Sequence, residues 1–206
     1  MRTLAIECAT QACSAALFDE SACLAQRYEI LGRGHAERLV PMIAELPGKG
    51  RADRILVSLG PGSFTGVRIG LAAARALGLA WGADVLGYPT LALVAAQGRQ
   101  AKPGPVTVCM AGGHGEWFVQ NFDDSGSVQD CAASLLPQDA AAAARHRTLA
   151  GGRAIELAQL LGDDRRAIDL LPDARFACLL PSSVLTTDLA PIYGRPPDAR
   201  LPGAAA

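Results

Sequence analysis

Histidine, aromatic side chains and any excess of charge are scarce in this chain. Its three histidines, at positions 35, 114 and 146, are too few and too scattered to read as a metal cluster or to define a Ser-His-Asp triad. Nineteen basic side chains stand against twenty acidic ones, for a formal net charge of -1, which removes a global basic field as the route to nucleic acid. Any RNA is expected to be held mainly by a partner. The six cysteines, at 8, 13, 23, 109, 131 and 178, contain no Cys-x-x-Cys pair, so buried reduced thiols are expected in place of disulfides or zinc. A long apolar run is also missing: Val67 to Trp81 is short and carries Arg68 and Arg75. Nothing after Met1 reads as a signal peptide. A cytoplasmic protein without a membrane span is the expectation.

What the chain does have is apolar mass and glycine. Half of its 206 residues are hydrophobic and 19% are charged, which suits one large domain or two small lobes with real cores. The glycines concentrate in Gly60-Pro-Gly-Ser-Phe-Thr-Gly-Val-Arg-Ile-Gly70. A short buried strand, Ile55 to Leu59, precedes this stretch, and a helix rich in alanine and leucine follows from Val67 to near Trp81, capped by Thr65 or Ser63. Strand, tight turn, helix is the local reading. Amide groups at such a helix start, with hydroxyls and Arg68 beside them, suit an anion. The alternative is a turn whose glycines let helix and strand pack closely. The spacing matches neither a P-loop, since no Lys-Ser or Lys-Thr follows Gly66, nor a dinucleotide fingerprint. Within the helix, Gly66, Gly70, Ala74 and Gly78 recur every fourth residue, leaving one stripe nearly bare for a neighbouring backbone.

The rest of the chain supplies the frame. Thr3 to Cys8, Cys13 to Phe18 and Cys23 to Tyr28 read as a strand meander, and Gly34 to Leu46 as an amphipathic helix with Leu39, Met42, Ile43 and Leu46 on one face. Asp84 to Gly87 reads as a strand, and a helix follows from Pro89-Thr90 to Gln97. Lys102-Pro-Gly-Pro105 marks a boundary between lobes. Beyond it come a hairpin of Val106 to Met110 with Glu116 to Phe122, a helix at Gln138 to Arg145, a strand at Thr148 to Ala150, and helices at Ile155 to Leu161 and Ala174 to Leu180. Arg145, Arg147, Arg165 and Arg166, interspersed with Asp163 and Asp164, read as a solvated face.

The glycine signature, taken with the Met1 to Leu17 opening, His35-Ala-Glu-Arg-Leu-Val-Pro-Met-Ile43 and Pro191-Ile-Tyr-Gly-Arg-Pro-Pro-Asp-Ala-Arg-Leu-Pro202, resembles the TsaB (YeaZ) family of tRNA threonylcarbamoyladenosine biosynthesis proteins. The resemblance implies an α/β, actin-like (ASKHA, ribonuclease H-like) fold of two lobes, the second reduced. The lobes would be residues 1–101 and 106–190, followed by a tail over 191–206. It further implies a non-catalytic subunit that pairs with a TsaD-like catalytic subunit, alongside a TsaE-like ATPase, with tRNA reached only through the complex and no cofactor or metal of its own. Helix-on-helix pairing in the family places His35, Leu39, Met42, Gly66, Gly70, Ala74 and Gly78 at the partner interface. Whether the chain alone is a homodimer stays open. The chain departs from relatives at Ala111-Gly112-Gly113, where an Asp-Ala-Arg is usual.

Two other classes compete. An actin-like ATPase or small-molecule kinase needs an acidic metal holder and a glycine-lined phosphate hairpin, for which Glu7-Cys8-Ala9-Thr10 offers a longer acid and an alanine. A metallopeptidase needs clustered ligands, and the helix starting at His35 has Leu39 where a second histidine would stand.

Overall fold

The structure, a computed structural model, describes residues 1–162 and 164–194. Strands β1 (Arg2–Glu7), β2 (Ala12–Asp19) and β3 (Ala22–Ile30) form an antiparallel meander, and β4 (Arg54–Ser58) and β5 (Asp84–Tyr88) add parallel to β1 in the order β3-β2-β1-β4-β5. The middle strands β1 and β2 are buried on both faces, which explains why they read as continuous apolar runs without alternation. Helices α1 (His35–Ala44) and α2 (Phe64–Trp81) lie side by side over one face, where Leu4, Ile6, Leu17, Ile55 and Val57 meet Leu39, Met42, Leu71 and Ala74.

Helix α3 (Thr90–Ala101) is buried from Thr90 to Gly98, because it is packed between two sheets. Phe18, Leu56 and Tyr88 touch this core from the first sheet, and Val106, Val108, Phe118 and Phe122 from the second. The second sheet has the order β10-β9-β6-β7-β8, built from β6 (Val106–Gly113), β7 (Glu116–Phe122), β8 (Ala133–Leu135), β9 (Thr148–Ala150) and β10 (Arg166–Ile168). Helices α4 (Pro137–Ala143) and α5 (Ala154–Leu161) cover its outer face, where Ala140, Ala154 and Leu157 meet Cys109, Val119 and Leu149.

Lys102 to Pro105 does lie between α3 and β6, but the chain later returns to the first sheet. A 3-10 turn at Ala174–Leu179, expected as a helix, rests on β1 and β2, with the Ala174 amide donating to Ser14 Oγ at 2.9 Å. Thr186 bridges to Gly87, and the Ile192 amide donates to Leu59 O at 2.7 Å. Of the expected tail, 195–206 falls outside the described residues. Strands β8 and β10 were not expected. At three residues each they are too short to show a period, and Arg166, read as part of a solvated face, opens β10. All six cysteines are free, but Cys23, Cys131 and Cys178 are exposed, which corrects the expectation of buried thiols for half of them.

Candidate functional site

The glycine-rich turn starts where β4 ends. Gly60 takes a φ of 91°, the peptide to Pro61 is cis, and Ser63 caps α2 by accepting the Gly66 amide at 3.2 Å. The two readings of this turn are then separable. The Ser63 amide donates to Ala9 O at 2.6 Å, and a Cβ on Gly62 or Gly66 would land on the carbonyl oxygen of Ala9 or Cys8 respectively. The start of α2 is therefore closed by the β1–β2 turn, and the glycines serve close packing.

Glu7 is drawn into the same junction. Its side chain is fully buried at the end of β1, accepting the Ala9 amide at 2.6 Å and facing the Tyr88 hydroxyl at 3.4 Å, while that hydroxyl donates to Ile6 O at 2.9 Å. Burial pushes its pKa up from 4.5 to about 7, against the opposing pull of hydrogen bonds from Ala9, Ser58 and Tyr88. The acid beside the hairpin turn is thus spent on the protein's own backbone and core.

The seven residues assigned to a partner interface all face inward. Leu39 and Met42 have no exposed surface, and Gly70, Ala74 and Gly78 lie over Ile6, Val57 and Val85 of the first sheet. His35 is buried, its Nε2–H shared between Thr10 O at 2.9 Å and Ala12 O at 3.3 Å, so it ties the start of α1 to the β1–β2 turn. In this chain the seven positions are packed against its own sheet and turn. An amphipathic helix buries its bare stripe against its own sheet when that sheet is near.

The opposite sides of the same two helices are open. On α1, Ala36, Val40 and Ala44 follow one another at four-residue spacing, and on α2 so do Ala72, Ala76 and Ala80, all exposed. Leu79 is 89% exposed, Phe64 56% and Val40 53%. Single exposed apolar side chains are ordinary, but here they share one face of two adjacent helices. At its edge the Arg68 guanidinium sits 3.4 Å from the centre of the Phe64 ring and donates to the Tyr193 hydroxyl at 3.0 Å. Arg75 donates to Leu189 O at 3.1 Å, so the returning segment is strapped along α2. Behind α1, Arg38 joins Glu29 and Glu45, and Glu45 also meets Arg27, bracing α1 against β3. These ion pairs hold the carboxylates of Glu29 and Glu45 below their ordinary range. Among the described residues no three His, Cys, Asp or Glu side chains converge as a metal site would need, and no helix is long and apolar enough to cross a membrane.

Two sheets sandwiching a buried helix, with further helices outside each, define a protein of the actin-like (ASKHA) class, and the ethanolamine utilization protein EutJ from Carboxydothermus hydrogenoformans shares that fold at TM-score 0.52 and 10% identity over 88% of this chain and 90% of EutJ. The family model described as TsaD, tRNA N6-adenosine threonylcarbamoyltransferase, matches residues 28–178. The chain belongs to that family and, within it, to the TsaB/YeaZ group. YeaZ from Pseudomonas aeruginosa superposes with a TM-score of 0.80 at 25% identity, over 93% of this chain and 99% of that one. The Escherichia coli tRNA threonylcarbamoyladenosine biosynthesis protein TsaB is 39% identical over 116 residues, 54% of this chain and 49% of that protein. Its Bacillus subtilis counterpart is 33% identical over 106 residues, 48% and 45% respectively. The chain thus matches about half the length of these curated relatives.

Proposed function

We propose that this chain is a non-catalytic subunit in tRNA threonylcarbamoyladenosine biosynthesis, which pairs with and activates a TsaD-like catalytic subunit through the outer faces of α1 and α2. The observation that carries the reading is the shared open face of Val40, Phe64, Ala72, Ala76 and Leu79, present in a chain of this family. Alanines at four-residue spacing let a partner helix approach closely, and the exposed leucine, phenylalanine and stacked arginine are the residue types that anchor interfaces. The non-catalytic part of the reading is supported by Glu7, which is buried and hydrogen-bonded to its own chain, and by the closure of the α2 start on Ala9. A TsaE-like ATPase completes the complex, tRNA is engaged chiefly within it, and in the absence of the catalytic subunit the same face pairs two copies.

Co-expression with the TsaD-like subunit of the same organism tests this. The expected outcome is a stable complex, with threonylcarbamoylation of tRNA that depends on adding this chain and no ATP turnover by the chain alone. Turnover by the isolated chain that disappears in Glu7→Ala, or tRNA modification indifferent to its presence, contradicts the reading.

A further inference from the structure

The starting ends of three parallel strands lie together in the second sheet: Val106 of β6 pairs with Thr148 of β9, and Thr148 with Arg166 of β10. Each strand is entered through a basic residue, Lys102 before β6, Arg147 before β9 and Arg166 at the head of β10. These three side chains, with Thr148 and Asp164, line an open groove of about 380 Å³. Among the described residues the acid of the groove, Asp164, is committed, since Arg147 pairs with its carboxylate and donates to Asp164 O at 3.0 Å. Lys102 and Arg166 are exposed and have no acidic partner among the described residues. What remains free to meet a ligand is an ammonium, a guanidinium and the Thr148 hydroxyl, a set dominated by donors and positive charge.

Phosphate oxygens fit such a set. The cations are long, exposed and spaced along an open edge, and they do not converge on one buried point. Serial contact with a phosphodiester backbone suits this layout better than capture of a single ion. We infer that the groove at the heads of β6, β9 and β10 contacts the phosphate backbone of RNA, with Lys102 and Arg166 as the principal contacts. The inference rests on the proposed role in tRNA modification for its choice of nucleic acid. It also accounts for RNA contact by a chain of net charge -1, because the positive field is local.

The test is a salt titration of tRNA binding, made with the chain alone at low salt and with its complex with the TsaD-like subunit. The double variant Lys102→Ala/Arg166→Ala is compared with wild type and with Lys49→Ala/Arg51→Ala, which removes the same charge from exposed positions on the first lobe. Each lost phosphate contact is expected to lower the slope of log affinity against log salt by about 1, so the groove variant loses about 2 and the control nothing. Pairing with the catalytic subunit stays intact in both. Equal slopes for groove variant and control overturn the inference. So does competition by inorganic phosphate at low concentration, which marks a free-anion site, and so does equal affinity for anionic lipid vesicles, which marks a nonspecific patch. If wild type fails to pair with the catalytic subunit, the proposed role falls, while the titration of the chain alone still decides the groove.

Discussion

Replacing Glu7 with glutamine tests whether the hairpin acid is a structural group. A carboxyl that titrates near 4.5 when exposed and at about 7 in the folded chain holds its proton in the folded state over an interval in which the unfolded chain has lost it. In that interval the folded state binds more protons, so stability falls as pH rises. The decline starts near 4.5, ends near 7, and leaves no further loss above that. At about 1.4 kcal/mol for each pH unit, the contribution is about 3 kcal/mol. Glutamine keeps the shape and an acceptor for the Ala9 amide but cannot ionise. Glu7→Gln is therefore expected to match wild type below about pH 4 and to exceed it by about 3 kcal/mol at pH 8. For a chain of this size that corresponds to a melting temperature higher by roughly 6 to 12 °C. Denaturant melts of both proteins at several pH values give the difference directly, and other groups, such as the buried Asp173 with its raised pKa, cancel in the subtraction. A difference that does not change with pH, or a glutamine variant less stable at pH 8, refutes the reasoning.

Other substitutions probe the helix layer. Ala74→Leu puts a large side chain where Ala74 is fully buried against the first sheet, and is expected to cost about 1 to 3 kcal/mol, read as a lower melting temperature. An unchanged melt means the stripe is not internal. Gly66→Ala drives a Cβ into the Cys8 carbonyl, a backbone group that cannot swing aside, so its loss in chemical denaturation should be at least comparable. Arg38→Ala removes the link from α1 to Glu29 and Glu45, and its effect should be smaller than that of Ala74→Leu and shrink further in high salt.

The strand, glycine turn and helix at residues 55–81 were legible because each has a local signal, as were the first hairpin and the buried face of α1. The direction of α2 was not. Its sequence carries two small-residue stripes, Gly66-Gly70-Ala74-Gly78 and Ala72-Ala76-Ala80, and a period of about 3.6 states that both exist without saying which one the sheet covers. Glycine against alanine is the distinguishing signal: a covered stripe crossing the Cys8 carbonyl and the Val85 side chain has no room for Cβ at Gly66 and Gly78. Leu39 and Met42 were correctly placed on the apolar face, but that face belongs to the chain's own core. His35 could not be read as buried, since the two carbonyls that satisfy it come from the distant turn at Thr10 to Ala12. The basic groove has no signature in the sequence, because Lys102 and Arg166 are neighbours only through the register of three parallel strands.

The proposed pairing with a TsaD-like subunit runs through the outer face of α1 and α2. Affinity of the purified chain for the TsaD-like subunit, measured by titration calorimetry for wild type, Leu79→Asp and Ala76→Glu, tests it most directly. Both positions are exposed, so each variant should melt within about 0.5 kcal/mol of wild type. Each is expected to weaken pairing at least tenfold, about 1.4 kcal/mol, because a charge is buried without a counterpart at the contact. Unchanged affinity in both variants, with folded protein in hand, places the interface elsewhere and contradicts the claim.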